Sequence, residues 1–199
     1  MDKDFVMNKI AIVILASVSF FSTNALSDVT ATATANWDAS ATKDTTSALV
    51  VTPLKSLTFQ YVEGLEVFNT QKGAFDVSIK GQSGATDFEL TSQIIYNTLT
   101  RTTDTSTLDV GVSWNGKSLS KSAPLTLIDT SQSISSGLDS LALKTAFAGS
   151  DRKSALGNFD FTIESASDGK DPVEFKDLAD GYWSGDVKVQ FTAVWTVST

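Results

Sequence analysis

The chain has 199 residues, a formal net charge of −8, 41% apolar residues, three prolines, no cysteine and no histidine. Clustered Lys and Arg of the kind that hold nucleic acid are missing, no disulfide can staple the fold, and the commonest base, thiol nucleophile and metal ligands are lacking. The apolar content is too high for a disordered chain, so stability must come from buried area and backbone pairing.

The amino terminus has the three parts of a secretory signal: Lys9, the apolar run Ile10 to Phe21, and the small-residue exit Ala25-Leu26-Ser27. Residues 1–27 are therefore expected to be a cleaved leader. Asp2 and Asp4 are unusual in a positive leader, which makes Met7 an alternative start. The apolar run is too short to cross a bilayer comfortably, so export as a soluble chain is expected. Removing 27 residues from 199 leaves 172, one domain by length. Lys3 and Lys9 cancel Asp2 and Asp4, and the whole net charge belongs to the mature part.

Asp28 to Trp37 then alternates without a break, placing Val29, Ala31, Ala33, Ala35 and Trp37 on one face of an expected strand. The polar stretch 38–47 follows as a tether. Such a strand can be the first strand of an ordinary closed sandwich, or it can be donated to a neighbouring copy. The remainder, 48–199, is the expected folded domain.

Within that domain, Ala48 to Gln60 begins with an apolar run through Val51, is broken by Pro53, which suggests a sheet edge or a bulge, and alternates again through Leu57 and Phe59. Phe75, Val77 and Ile79 alternate before the turn residues Gly81 to Gly84. Phe88, Leu90 and the run Gln93 to Leu99 predict one or two strands. Leu108, Val110, Val112 and Trp114 alternate into Asn115-Gly116, a strong hairpin signal, and Leu125, Leu127 and Ile128 continue beyond it. The Ser- and Gly-rich stretch from Thr130 to Gly157 predicts a loop with one short helix and a charged tip at Asp151-Arg152-Lys153. Phe159, Phe161 and Ile163 resume alternation until Ser165 to Lys170. Finally Val187, Val189, Phe191, Ala193, Trp195 and Val197 form the longest alternating face.

Many short strands joined by turns, with no helical period, predict an all-β, antiparallel sandwich of immunoglobulin type. If its last position is unfilled, the Val187, Val189, Phe191, Ala193 and Trp195 face becomes an acceptor groove, and Val29 to Trp37 of another copy can add a strand there. Trp114 beside Asn115-Gly116, and Tyr182-Trp183, are either core packing or platforms for sugar stacking. Asp and Glu are scattered, with no calcium-loop spacing, and no catalytic, cofactor-binding or metal-binding residues are assigned.

Several blocks in one order resemble the major pilin of the enterobacterial common pilus, the Mat or ECP fimbria. They are Lys43-Asp44-Thr45-Thr46-Ser47, Leu49-Val50-Val51-Thr52-Pro53-Leu54, Ser56-Leu57 through Phe59-Gln60-Tyr61 to Glu63-Gly64, Phe68-Asn69, Gln71-Lys72-Gly73, Asn97-Thr98-Leu99-Thr100 and Trp183-Ser184-Gly185-Asp186-Val187. Little is shared between Lys117 and Asp180. The resemblance implies a surface fimbrial subunit with an incomplete sandwich, held by a periplasmic chaperone and polymerised by donor-strand exchange through an outer-membrane usher. It further implies a homopolymer with a tip adhesin, serving adhesion to host-cell or abiotic surfaces and biofilm formation. An exported monomeric carbohydrate-binding sandwich is the alternative from another class. A tip pilin fits less well because the chain has one domain and a donor-like strand, and an outer-membrane barrel would need longer strands.

Overall fold

The computed structural model describes residues 46–135 and 137–197. The leader, the alternating Asp28–Trp37 segment and all but the end of the tether lie outside the described residues. The described strands are β1 (Leu49–Pro53), β2 (Tyr61–Val62), β3 (Val67–Phe68), β4 (Gln71–Lys80), β5 (Ala85–Tyr96), β6 (Thr98–Arg101), β7 (Thr107–Trp114), β8 (Lys117–Ser118), β9 (Leu125–Asp129), β10 (Arg152–Ser167), β11 (Pro172–Val173), β12 (Trp183–Ser184) and β13 (Lys188–Val197). Among the described residues they are interrupted by one short α-helix, α1 (Lys144–Phe147), and by 3-10 turns at Glu63–Leu65 and Phe175–Asp177.

Period-2 patterning decides which face of each long strand is buried. On β4, Gly73, Phe75, Val77 and Ile79 are buried while their neighbours are not, and β5 buries Phe88, Leu90, Ser92 and Ile94 in the same way. These faces form one core with Leu108, Val110, Val112 and Trp114 of β7, Leu127 and Ile128 of β9, and Phe159, Phe161 and Ile163 of β10. All pairings between the strands are antiparallel.

Two sheets make the sandwich. The larger runs β1-β4-β10-β7-β6-β12, and the smaller runs β13-β5-β9. In chain order, β1, β4, β5, β7, β10 and β13 take the places of the first six strands of an immunoglobulin-type sandwich. Strands A, B, E and D share one sheet, and C and F the other. The expected all-β antiparallel class is therefore the observed one.

Pro53 closes β1, which among the described residues pairs with β4 alone, so its missing N–H disturbs no ladder among them on the far side. Asn115 and Gly116 form the expected two-residue turn: both have positive φ (49° and 77°), and Trp114 pairs with Lys117 across it.

Other expectations need correction. Leu57 and Phe59 belong to no strand; they pack as half-buried side chains against the core. The charged tip Asp151-Arg152-Lys153 is not all loop, because β10 begins at Arg152 and pairs with β4 from there. β10 also continues through Ser165, past the point where alternation stops. A bulge between Ile163 and Ser165 inserts an extra residue, Glu164, and shifts the next inward side chain to Ala166. Among the described residues β10 is the longest strand, with 16 residues, although the bulge interrupts its alternation. The Ser-rich stretch is loop with one short helix up to Arg152, as expected, but it also adds to the core: Leu138, Leu141 and Phe147 are buried and Phe147 stacks on Phe88 with centroids 6.1 Å apart.

Candidate functional site

β13 pairs along its length with β5, and among the described residues no strand lies along its other edge. In the immunoglobulin arrangement the seventh strand pairs with the sixth, on that edge. An unpaired ten-residue edge presents alternating N–H and C=O groups, the template that strand addition uses.

The side chains of β13 match this. Val189, Phe191, Ala193 and Trp195 all point inward, yet each is only half-buried, whereas their counterparts on β5 are fully buried. Phe191 reaches across the sandwich to Phe75 and Phe159, at centroid distances of 5.3 and 5.8 Å, and Trp195 lies 5.1 Å from Phe88. Val187 precedes the strand and is also half-buried.

Beside the first half of β13 an open cleft of about 890 Å³ separates the two sheets. Val187, Val189 and Phe191 line it, while Ala193 and Trp195 lie further along the strand outside it. Phe75, Phe159 and Phe161 also line it; Val51 and Pro53 of β1 with Leu57 and Phe59 form the opposite wall. The sequence alone points only to the β13 side. The opposite wall had a signal in the unpaired apolar pair Leu57 and Phe59 after Pro53, because side chains that alternate without a partner strand still need a surface to cover.

A third wall comes from residues 178–186, which have almost no regular structure of their own. A polar network holds them. The Trp183 indole N–H donates to Ser106 Oγ at 3.0 Å, the Arg101 guanidinium stacks 5.3 Å from the Trp183 ring, and Arg101 also donates to the carbonyl of Asp180. Asp104 anchors the other end, accepting from Ser106 N and Oγ at 2.9 and 2.6 Å and from Arg101 at 2.9 Å. The Ser106 bonds, helped by the nearby guanidinium, hold the Asp104 carboxyl below its usual range.

Asp129 and Asp139 are likewise lowered by serine hydroxyls, and Asp168 by the backbone N–H groups of Asp171 and Lys170. These carboxylates close their own loops, a structural use of short acidic side chains. The cleft walls are apolar with charges only at the mouth, among them Lys55, Lys176, Lys188, Asp180 and Asp186. Such a site suits an apolar side-chain row. Trp114 is buried in the core and can form no sugar platform, whereas Tyr182 stands exposed at the cleft mouth.

The family model of fimbrillin MatB matches residues 30–195. Similar proteins include the common pilus major fimbrillin subunit EcpA of Escherichia coli O139:H28 (strain E24377A) and of Klebsiella pneumoniae (strain 342). Each is 51% identical over 172 residues, covering 85% of this chain and 88% of the relative. Among solved structures, the CooA pilin subunit from enterotoxigenic Escherichia coli superposes with a TM-score of 0.47 at 17% identity, covering 72% of this chain and 86% of that one. On a match over most of its length, the chain belongs to the MatB fimbrillin family.

Proposed function

We propose that this chain is the repeating structural subunit of a surface fimbria, and that each copy is completed by Asp28–Trp37 of the next, laid along the free edge of β13. The carrying observation is that edge, with a half-buried apolar row and an open cleft beside it. Val29, Ala31, Ala33, Ala35 and Trp37 would fill the row opposite Val187, Val189, Phe191, Ala193 and Trp195, with backbone bonds to β13 supplying the rest.

Magnitudes favour a coupled equilibrium of folding and polymerisation. Burying Val29 contributes roughly 1.5–3 kcal/mol, and Trp37 up to about 4–6 kcal/mol by area. A whole domain is stable by only about 5–15 kcal/mol. A subunit with that row uncovered is therefore a poor monomer, and a periplasmic chaperone to cover the groove, with an outer-membrane usher to exchange it, is the partner set such chemistry needs. On this reading the polymer is exported through the periplasm, carries a tip adhesin, and serves adhesion and biofilm formation as a structural protein rather than an enzyme.

Fusing residues 28–37 behind Thr199 through a short linker, in a chain that lacks them at its start, tests this. A stable monomer that no longer polymerises is the expected product. Equal stability in a chain with neither copy of the segment would refute strand exchange.

A further inference from the structure

Among the thirteen exposed large apolar side chains of the described surface are Leu54, Tyr61, Val62, Leu65, Val67 and Tyr182, between 37% and 78% exposed, all on or next to segments that line the cleft. Tyr61 and Tyr182 line its mouth, and Leu54 sits between the lining residues Pro53 and Lys55. Four of the six belong to the β2–β3 hairpin and its single turn of 3-10 helix, Glu63–Leu65.

That hairpin is held out rather than loose. The backbone N–H of Asn69 donates to the carbonyl of Gln60 at 2.9 Å, and the N–H of Gln60 donates to the Asn69 side chain at 2.8 Å. Tyr61 packs edge-on against Phe68 at 5.5 Å, and Phe68 packs against Phe175 at 5.6 Å. With its base fixed to the domain, Leu65 at the tip stays 70% exposed. A hairpin that exposes Tyr61, Val62, Leu65 and Val67, with Glu63, Glu66 and Lys176 near Tyr61, has the make-up of a protein interface.

We propose that this rim is a second contact between successive copies of the chain, seated against the body of the copy that donates its strand. The inference rests on the strand-exchange reading and adds the direction of the neighbour. A seventh strand runs antiparallel to the sixth, so the donated Trp37 ends beside Val187, which lines the cleft with Tyr61 and Tyr182. The size of the site agrees: the largest donor side chain meets the open cleft, and at two-residue steps from Trp37 beside Val187 the small Ala33 falls beside the bulky Phe191. From Trp37 only residues 38–48 remain before the donor's own β1, a reach of at most about 40 Å. The donor's body is thereby tethered next to the hairpin, and a second copy is the occupant within range.

A photo-crosslinking residue placed at Leu65 of the full exported chain, in assembled fibres, gives a ladder of crosslinked copies. The same residue at Leu156, an equally exposed position on β10 away from the cleft, gives none. In parallel, Leu65→Lys leaves the unfolding midpoint of the strand-fused monomer unchanged while fibres dissociate at lower denaturant. Normal fibres that show neither the Leu65 ladder nor the loss of strength overturn the second contact and leave strand exchange standing. A fused monomer no more stable than the chain without the segment overturns both.

Discussion

Phe191, midway along the free-edge strand β13, packs against Phe75 of β4 in the opposite sheet, with ring centroids 5.3 Å apart and planes inclined at 59°. It joins the two layers where the cleft opens between them, yet it is only half-buried. Truncating a fully buried Phe costs about 3–5 kcal/mol. Phe191→Ala should approach that cost in the strand-fused monomer, where the ring is covered, and fall well short of it in a chain without the donor segment. Urea unfolding of both forms measures the difference, and equal losses would mean that nothing further covers Phe191.

Ser106 is 4% exposed and stands between two partners, accepting from the Trp183 indole and donating to Asp104. Ser106→Ala leaves the indole N–H without its acceptor, at a cost of about 1–3 kcal/mol. Because that bond secures the cleft wall, the substitution should also speed hydrogen exchange at the Trp183 indole more than at buried amides of β4. Uniform acceleration across the domain would show that the network supports general stability and not the wall.

The pH response follows from the lowered carboxyls. Asp104, Asp129, Asp139 and Asp168 have folded-state values below their ordinary ones, so their stabilisation is complete above the unfolded value near about 3.9 and is lost as pH falls through the folded values. With no histidine in the chain, the unfolding midpoint should be nearly flat from about pH 6 to 8 and drop only in acid. Asp104→Asn should make the acid limb shallower. An acid limb of unchanged slope would mean that Asp104 gains nothing from its Ser106 and Arg101 partners.

Strand positions were legible where one face turns to the core, because alternation then carries the sheet's two-sidedness directly: β4, β7 and β13 read cleanly, whereas β5 and β6 merged into one or two strands. It failed where geometry breaks the period. The bulge at Glu164 moves the inward position from Ile163 to Ala166, and a reader counting by twos loses the strand there. Leu57 and Phe59 show the opposite failure, since they alternate but face a cleft rather than a sheet neighbour. The β13 side of the site was readable because it is a long regular strand. The wall at 178–186 was not, because Arg101, Asp104 and Ser106, which hold it, are some 80 positions earlier in the chain.

Gly157 of β10 lies opposite Phe75 in register, and a Cβ at Gly157 would come within 2.6 Å of the Phe75 ring and 3.1 Å of Trp114. Gly157→Ala should therefore destabilise by about 1–3 kcal/mol through overpacking. The displaced Phe75 is part of the cleft lining, so uptake of a synthetic peptide of residues 28–37 should weaken as well. Thermal denaturation and peptide titration test the two consequences separately, and a stable variant with intact uptake would mean that Phe75 shifts freely.

Ser92 sits at the centre of the smaller sheet, 1% exposed and paired in register with Phe191, and its hydroxyl has no hydrogen-bond partner among the described residues. Removing water from a hydroxyl without replacing its bonds costs about 1–3 kcal/mol, and an alanine methyl in the same place incurs no such penalty. The side chain is small enough that Ser92→Ala opens little space beside Phe191. The variant should thus be more stable by about 1 kcal/mol, seen as a higher unfolding midpoint in the strand-fused monomer. A lower midpoint there, with no change in the unfused chain, would mean that the donated strand supplies the missing partner for Ser92.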